Sequence, residues 1–543
     1  MSDREFIIRD PFLLHREGVR GSRRQQVQSG NIMIAKTVAG FLKSSLGPKG
    51  MSKLLVSKFD EMAVTSDGAA ILDMMDIYHP VAKLLKETAK SVEKSSGDGT
   101  KTTIILIGGL VARAEGLIRH RIQVSALIKG YRRACDVALR HLRELSRPFR
   151  FGDYDLMKKI AKTMLYARGF GVMADHLADL VVKAINEVAE RRNGRIIVDK
   201  DLVQVVKKVG GGLLDSELIN GIIINRSLVH PEMPKRIRNA RVVVLDEALK
   251  VDPFKHLQPF KREIVIRKDE LVKEFLEEED RIEREIANKI ISVGANVVVC
   301  RKRIGKIVSH MLAEARVMAV ERLLKDERIE PVIKATRARR IADLDDLTEG
   351  DLGWARLVEE RKIGGDKMVV IEGGESSKAV TILLRAGSER QLDEAERAVK
   401  DLVTVMASLA ENPAHVPGGG ATEEALSIMV RNESLKHSGG EQIAMYAFAN
   451  TLETIPRLLA RNSGLDPVDI ITELRSKHVQ GSHEYGIDVF SGGVVNVYES
   501  GIIEPLAVKE QVLKTCTEVA SIILRIDDII DRRYAKRHRG EIP

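Results

Sequence analysis

The spacing of apolar and polar positions divides the chain into helical ends and a mixed middle. From about Asn31 to Arg147, apolar residues recur three and four positions apart, which is typical of amphipathic helices. Between Gly221 and Glu372, short apolar stretches alternate with helical patterns, which predicts an α/β module. The helical pattern returns from about Pro417 to Asp531. The pattern therefore predicts a multidomain protein that combines α and α/β parts.

Shorter elements connect these parts. Strands are predicted over Arg195–Val198 and Val203–Val209, and the second strand ends at three consecutive glycines, Gly210–Gly212. Such a run is compatible with a hinge and equally with an ordinary turn at the end of a strand. Beyond a strand at Val380–Leu384, the spacing predicts a long helix over Glu389–Leu409.

Length and composition indicate a large globular protein. The chain has 543 residues, of which 44% are hydrophobic, so it can bury several cores, and we expect two to four domains. Its three cysteines form no CxxC pair, so neither a disulfide framework nor a zinc site is indicated. The longest apolar run, around Thr103–Ala112, is well short of the roughly 20 residues that span a bilayer, and the N-terminus lacks a hydrophobic signal segment. A cytoplasmic protein without membrane contact is expected.

The formal net charge of +9 raises the question of nucleic-acid binding. Basic runs occur at Arg20–Arg24, Arg337–Arg340 and Arg532–Arg539. However, acidic residues are interspersed almost everywhere else, and apart from Tyr534 these runs lack the aromatic residues on which bases stack. We interpret the runs as solvated faces or subunit contacts and expect no nucleic-acid partner.

The segment from Lys94 to Leu110, KSSGDGTKTTIILIGGL, carries the most informative chemistry. Its glycines allow turn conformations and a close approach by a ligand, and Asp98 between them offers hard oxygen ligands. A helix beginning at Thr100 would direct unpaired N–H groups and its positive dipole end at an anion. A phosphate with its metal fits this arrangement, although the same string is also an ordinary turn before a helix.

Further glycine-rich and acidic segments favour the phosphate interpretation. Ser44–Gly50 and Thr65–Gly68 lie upstream, and Pro417–Ala421 and Glu504 lie downstream. The P-loop pattern GxxxxGK[ST] is absent from the sequence, which excludes a P-loop NTPase.

In order, the chain contains the motifs LGPKGM, TSDGAAIL, SGDGTKTT, LDEAERAVKDL, VPGGGATEEAL, ARNSGLDPVDII, GIDV, GIIEPLAVKEQV and ILRIDDII. This ordered set, from about Asp10 to Asp531, resembles the group II chaperonin subunits, which are the thermosome and its eukaryotic cytosolic relatives in the CCT/TRiC family. The resemblance points to a divergent, archaeal thermosome subunit.

The resemblance implies the group II chaperonin fold. This fold has an all-α equatorial domain, a small α+β intermediate domain and an α/β apical domain with a helical protrusion at about residues 246–267. The implied boundaries are 1–151 and 417–543 for the equatorial domain, 152–221 and 384–416 for the intermediate domain, and 222–383 for the apical domain. The protrusion would contain Phe254, Leu257 and Phe260, which are expected either to serve a lid and substrate surface or to pack against the core of the α/β module.

The resemblance also implies roles for individual residues. Asp67 and Asp401 match the acids that hold the attacking water, and Asp98 matches the Mg²⁺ ligand. Because Asp401 lies on the helix of the intermediate domain, it is expected to reach the site only when that domain moves. The residues matched to nucleotide contacts are Ser45, Leu46, Gly47, Pro48, Gly99, Thr100, Lys101, Thr102, Arg168, Gly419 and Glu504.

Several positions depart from the family pattern. Lys101 replaces a threonine of the phosphate loop, where it could strengthen γ-phosphate binding or occupy the site and slow turnover. Ser66, Ala70 and Ser52 replace an asparagine, a threonine and an aspartate. Arg168 replaces the lysine that usually contacts the γ-phosphate, which keeps the charge but changes its shape.

By resemblance, the function is that of an ATP-dependent molecular chaperone. Like subunits, identical or related, would form a double ring that encloses non-native proteins, and Mg²⁺-dependent ATP hydrolysis would close a built-in lid. The expected cofactors are ATP and Mg²⁺, with K⁺ as a further candidate. The altered surroundings of the carboxylates leave an alternative open, a structural or regulatory ring subunit that binds nucleotide with weak or no ATPase activity.

Overall fold

The computed structural model describes residues 23–56, 62–75, 77–250, 269–323, 326–373 and 379–529. The chain forms two compact units, one made of Met1–Ala178 with Lys400–Pro543 and the other of Asp179–Val399. The expectation of a multidomain protein with helices and sheets is confirmed. The finer division into equatorial, intermediate and apical segments stays a prediction.

The first unit is mostly helical, and both ends of the chain contribute to it. Its N-terminal elements are α1 (Arg23–Lys43), β1 (Lys53–Val56), β2 (Met62–Thr65), α2 (Gly68–Met74), α3 (Pro80–Ser96), α4 (Thr100–Arg119), α5 (Val124–Leu145), β3 (Arg147–Pro148) and α6 (Tyr154–Ala167). The next helix, α7 (Ala174–Val188), crosses the boundary into the second unit.

The second unit carries most of the strands. Its elements are β4 (Glu190–Arg192), β5 (Arg195–Ile197), β6 (Val203–Val209), β7 (Glu217–Asn220), β8 (Ile222–Ile224), β9 (Arg236–Leu245), α8 (Asp269–Ser292), β10 (Val297–Cys300), α9 (Lys306–Glu314), β11 (Met318–Val320), α10 (Asp326–Thr336), β12 (Arg340–Ile341), β13 (Gly353–Ile363), β14 (Asp366–Glu372) and β15 (Val380–Ala386). The long helix α11 (Glu389–Glu411) crosses back into the first unit.

The C-terminal part completes the first unit. It contributes β16 (Ala414–Pro417), α12 (Ala421–Ser434), α13 (Gly439–Leu452), α14 (Thr454–Asn462), α15 (Pro467–Val479), β17 (Tyr485–Asp488), β18 (Gly493–Asn496), β19 (Ile503–Pro505) and α16 (Leu506–Arg525).

Helix α4 lies at the centre of the first unit. The consecutive side chains of Ile104–Ile107 are all buried, because α1, α3, α13 and α16 pack around this helix. A helix that is apolar on every side is expected only in the interior of a large core. The packing therefore holds the N-terminal end of α4, at Thr100, in a defined place.

A small antiparallel sheet joins distant parts of the first unit. Strand β16 lies between β3 and β19, and Val416 pairs with Glu504. This register places the glycines that follow Pro417 next to the segment that carries Glu504. The hairpins β1–β2 and β17–β18 form two further antiparallel pairs.

The main sheet of the second unit is larger than the sheets of the first unit. The main sheet has the order β11-β10-β9-β13-β14-β8, and β12 also pairs with β9. Strand β9 is parallel to β10 and β12 but antiparallel to β13, so this is a mixed sheet. A second sheet has the order β6-β15-β7, and β4 pairs with β5. This unit matches the predicted α/β character of the middle of the chain.

Two of the earlier expectations concern this middle part. At the glycine run, Gly210 donates a backbone hydrogen bond to Ala386 over 2.8 Å, and Gly212 precedes a short 3₁₀ turn, as in a strand-end turn. A hinge role for these glycines stays a prediction. The expected lid residues Phe254, Leu257 and Phe260 lie outside the described residues. Within the residues that the structure describes, no helix has the length and apolar character needed to cross a membrane.

Candidate functional site

Four glycine-rich turns of the first unit surround one cavity with a volume of about 410 Å³. The following residues with predicted roles line it: Leu46, Gly47, Pro48, Asp67, Asp98, Gly99, Thr100, Lys101, Thr102, Arg168, Gly419 and Glu504. Ser45 and Asp401 are buried directly behind the lining. Segments far apart in the sequence therefore meet at one site, as the motif order predicts.

Two helices begin at the cavity with glycine caps. Gly99 precedes α4 and Gly420 precedes α12, and both have left-handed backbone conformations without a side-chain cap. The first helical hydrogen bond of α4 runs from the Thr103 N–H to the Gly99 carbonyl, so the N–H groups of Thr100, Lys101 and Thr102 precede it. Such N-terminal ends carry a partial positive charge and bind anions.

Close backbone approaches explain two of the glycines. At Gly97, with φ of +70°, a Cβ would lie 2.4 Å from the main-chain oxygen of Asp401. At Gly419, with φ of +61°, a Cβ would lie 2.7 Å from the oxygen of Ile487. Both residues need a left-handed conformation and the absence of a side chain. The cavity wall therefore depends on glycine at these positions.

Lys101 connects the turns to each other. Its Nζ donates a hydrogen bond to the Ser45 carbonyl over 2.8 Å. Its stem passes so close to Gly68 that a Cβ there would lie 2.8 Å from Cγ of Lys101. The ammonium group thus holds the first turn against the start of α4.

Arg168 links two of the predicted catalytic carboxylates. Its Nη1 lies 3.2 Å from Oδ2 of Asp67, and its Nη2 lies 2.6 Å from Oδ2 of Asp401. Asp67 also caps α2, because its Oδ1 accepts a hydrogen bond from the Ala70 N–H over 2.9 Å. In this structure Asp401 lies beside Arg168. The expectation that it reaches the site only when its domain moves stays a prediction.

Negative charge accumulates around Arg168. The carboxylate oxygens of Asp67, Glu93 and Asp401 lie within 4.8 Å of one another. Burial raises the pKa of Asp401 to about 7; the Arg168 charge opposes this shift, whereas the charges of Glu93 and Asp67 add to it. Burial alone would lower the pKa of Arg168. The negative charges of Asp401, Asp67 and Asp98 outweigh this effect, so the pKa of Arg168 is raised. Asp401 therefore exchanges its proton near neutral pH.

A second buried ion cluster lies at Glu504. Nζ of Lys509 lies 2.6 Å from Oε2 of Glu504 and 2.6 Å from Oε1 of Glu423. Burial disfavours the Lys509 ammonium, but the two carboxylates raise its pKa above the ordinary value. Burial also raises the pKa of Glu504. Lys509 therefore holds the side chain of Glu504 in a fixed position at the cavity.

Comparison with known proteins identifies the family. The model of the TCP-1/cpn60 chaperonin family matches residues 38–533. The chain belongs to the TCP-1/cpn60 chaperonin family. The predicted resemblance to group II chaperonin subunits is confirmed.

The chaperonin is similar to archaeal thermosome subunits along nearly its whole length. It is 43% identical to the thermosome subunit of Methanopyrus kandleri over 95% of this chain and 94% of the relative. It is 42% identical to thermosome subunit alpha of Archaeoglobus fulgidus over 98% of this chain and 96% of that protein. The identity to thermosome subunit beta of Sulfurisphaera tokodaii is 41%, over 98% and 95% of the two chains.

Sequence reasoning did not assign several residues of the chaperonin that the structure places at the site. Glu93 joins the carboxylate cluster, and Lys509 holds Glu504. The rings of Tyr166 and Phe490 lie 5.3 Å apart on the cavity wall. Lys509 lies within the motif GIIEPLAVKEQV, which was a usable signal. Glu93, Tyr166 and Phe490 have no local sequence pattern that distinguishes them from surface residues.

Proposed function

We propose that this chain is an ATP-hydrolysing chaperonin subunit. The observation that carries the proposal is the cavity of the first unit, which two glycine-capped helix ends line together with Asp67 and Asp98. Helix ends favour bound phosphates, and carboxylates can hold a metal and a water molecule. These are the groups that phosphoryl transfer to water requires.

The phosphate groups would bind at the positive helix ends. Gly47 and the first residues of α4 line the same cavity, so the Gly47 N–H and the N–H groups at the start of α4 can donate hydrogen bonds to one triphosphate. Glu504 lies on the wall beside the glycines that precede α12, which suits a contact to the ribose hydroxyls. Lys509 keeps Glu504 in place for this contact.

The residues at the cavity fit a magnesium ion. Asp98 lines the cavity directly before the N-terminal end of α4, and a carboxylate oxygen is a preferred ligand of Mg²⁺. Asp98 would hold the ion together with phosphate oxygens. When bound, Mg²⁺ neutralises part of the phosphate charge.

Asp67 and Asp401 would orient and deprotonate the attacking water. In the structure, Arg168 engages both carboxylates. A γ-phosphate would compete for the guanidinium, because Arg168 also lines the cavity. If the Arg168 guanidinium paired with the phosphate instead, the two carboxylates would be released to bind a water molecule. Ionised Asp401 would then accept a proton from this water.

The finer architecture belongs to the same proposal. We assign the first unit mainly to the equatorial domain and the second unit to the apical and intermediate domains. We further propose that like subunits assemble into rings and that each subunit contributes to a built-in lid. The relatives are named thermosome subunits, which supports assembly with like chains. Non-native proteins with exposed apolar surface are the proposed clients.

Phosphate release from the purified chain tests the proposal. With Mg²⁺ and ATP, we expect steady turnover that is lost in the Asp98→Ala variant, since Asp98 would hold the metal. A wild-type rate equal to that of Asp98→Ala would contradict hydrolysis and leave a subunit that only binds nucleotide. End-on electron micrographs, with and without ATP, test the assembly, and rings that close with ATP are expected.

Lys101 offers a separate prediction. Lys101→Met keeps the aliphatic stem but removes the hydrogen bond to the Ser45 carbonyl, which loosens the turn that faces the phosphates. We expect KM for ATP to rise about fivefold with kcat nearly unchanged, because such a bond contributes about 1 kcal/mol. Steady-state kinetics measure both constants.

The matched control for this prediction is Lys94→Met. Lys94 is exposed at the end of α3, so its replacement should leave both constants unchanged. A Lys101→Met enzyme with higher kcat and unchanged KM would contradict a positioning role. Such a result would show that the ammonium group slows turnover.

A further inference from the structure

A group of metal-binding side chains lies in the second unit. The ligand atoms of His230, Glu232 and His310 all lie within 4.8 Å of one another. His230 and Glu232 belong to the segment between β8 and β9, whereas His310 lies on α9. The site thus joins two elements that are distant along the sequence.

The surrounding structure holds both elements in place. The segment before His230 is anchored by a hydrogen bond from the Val229 N–H to the Ala319 carbonyl over 3.0 Å, and Met233 after it is buried. On α9, Val308 and Leu312 are buried, so the opposite face, which carries His310, points to solvent. The imidazole rings of His230 and His310 have centroids 5.6 Å apart.

We propose that His230, Glu232 and His310 bind a divalent transition metal ion of the zinc type. Two imidazoles and one carboxylate form a ligand set that suits Zn²⁺, whereas Mg²⁺ and Ca²⁺ prefer oxygen ligands alone. Three protein ligands leave a position for water, as in other zinc sites with an open coordination position. Glu232 and nearby Glu314 offset the charge of the ion.

Binding requires only small local changes. Ligand atoms about 2.1 Å from a tetrahedral zinc ion lie about 3.4 Å apart, so the side chains must approach each other by rotation. Glu232 and His310 are exposed and can rotate. The Glu232 N–H now donates to Nδ1 of His230 over 3.3 Å, and Nε2 of His310 lies 3.3 Å from Glu314. These long contacts are in or near solvent, so exchanging them for contacts to a metal ion costs little free energy.

The bound metal would cross-link the segment after β8 to α9. Such a link restricts both elements and should stabilise the second unit progressively as the free metal concentration rises above the dissociation constant. The inference is independent of the proposed ATP site, because the three ligands and Glu314 all belong to residues 179–399.

Equilibrium dialysis of the full-length protein against Zn²⁺ tests the site. Excess Mg²⁺ and the absence of nucleotide keep zinc from the oxygen ligands of the ATP site. We expect one zinc ion per chain, with affinity reduced at least about 10-fold in His310→Ala, since removal of a partner outside the coordination shell already costs about 10- to 100-fold. His310 is exposed, so this substitution should leave the fold intact.

The control is His120→Ala, which removes an exposed histidine at the end of α4 and should bind zinc as the wild type does. Cobalt provides a second measurement: the visible absorption of Co²⁺ bound to nitrogen ligands should appear in the wild type and decrease in His230→Gln and His310→Ala. Equal zinc binding by wild type, His310→Ala and His120→Ala would overturn the proposal. Absence of zinc binding by the wild type would also overturn it.

Discussion

Asp401→Asn is expected to lower kcat for ATP hydrolysis by about 10²- to 10⁴-fold with little change in KM, since this is the usual contribution of a general base. The carboxylate of Asp401 contacts Arg168 and lies within 4.8 Å of the Asp67 oxygens, so it can share one water with Asp67. Asparagine preserves the shape and a hydrogen-bonding oxygen but cannot accept the proton. Phosphate release at saturating Mg²⁺ and ATP measures the effect.

The pH dependence of kcat/KM provides a second test of the same residue, because this parameter reports the pKa values of the free enzyme. Only ionised Asp401 can accept a proton, and burial raises its pKa to about 7. The wild-type kcat/KM should therefore increase as the pH rises through about 7 and reach a plateau above it. The residual rate of Asp401→Asn should lack this step.

Asp393→Asn is the matched control, because Asp393 lies on the same helix but is exposed and pairs with Lys207. This variant should keep the wild-type rate and pH profile. If Asp401→Asn retained the wild-type kcat, or the same rise near neutral pH, Asp401 would not be the base.

The second large effect is expected at Arg168, whose removal should destabilise the first unit. Arg168→Ala leaves the carboxylates of Asp67 and Asp401 buried beside Glu93 without their cation. Breaking a buried ion pair by removing one partner typically costs about 3–5 kcal/mol. We expect a loss of this size at about pH 8, above the pKa of Asp401 in the wild type.

The loss should be smaller at lower pH, and the sign follows from the raised pKa. A carboxyl group whose pKa is higher in the folded state, here from 3.8 to about 7, favours folding while it is protonated. This contribution is complete below pH 3.8 and is lost as the pH rises through about 7. Because Arg168 lowers the pKa of Asp401, its removal makes the folded state depend more strongly on that proton.

Calorimetric melting at about pH 5 and about pH 8 measures both effects. Arg168→Lys is the matched control, because it keeps the positive charge but lacks the planar fork that contacts both carboxylates. Its loss of stability should lie between that of the wild type and that of Arg168→Ala. Equal melting temperatures of Arg168→Ala and the wild type at the higher pH would contradict a stabilising role for this ion pair.

The site could be predicted from the sequence largely because its turns are local features. Glycines next to Asp67 and Asp98 and before α4 and α12 define turn and cap geometry within a few residues. The long helix that carries Asp401 was also predicted, from its apolar spacing, and the structure has it at Glu389–Glu411. The motif order then indicated that these turns belong to one family pattern.

The rest could not be predicted, because it depends on contacts between distant segments. The pairing of Arg168 with Asp401 and of Lys101 with the Ser45 carbonyl joins residues 233 and 56 positions apart. Strands β13 and β14 were not predicted individually, since their place in the sheet follows from pairing with β9 and β8. The cluster at His230 and His310 has no sequence signature for the same reason.

The first unit is assembled from the two ends of the chain, with Asp179–Val399 inserted between them. During synthesis, the nascent polypeptide therefore presents α1, α3 and α4 long before the ribosome has made α13 and α16, which cover them. Apolar side chains of the N-terminal segment must stay exposed, or be protected by other factors, until translation is nearly complete. A chain that is truncated before α16 should accordingly aggregate, although it contains every residue of the inserted unit.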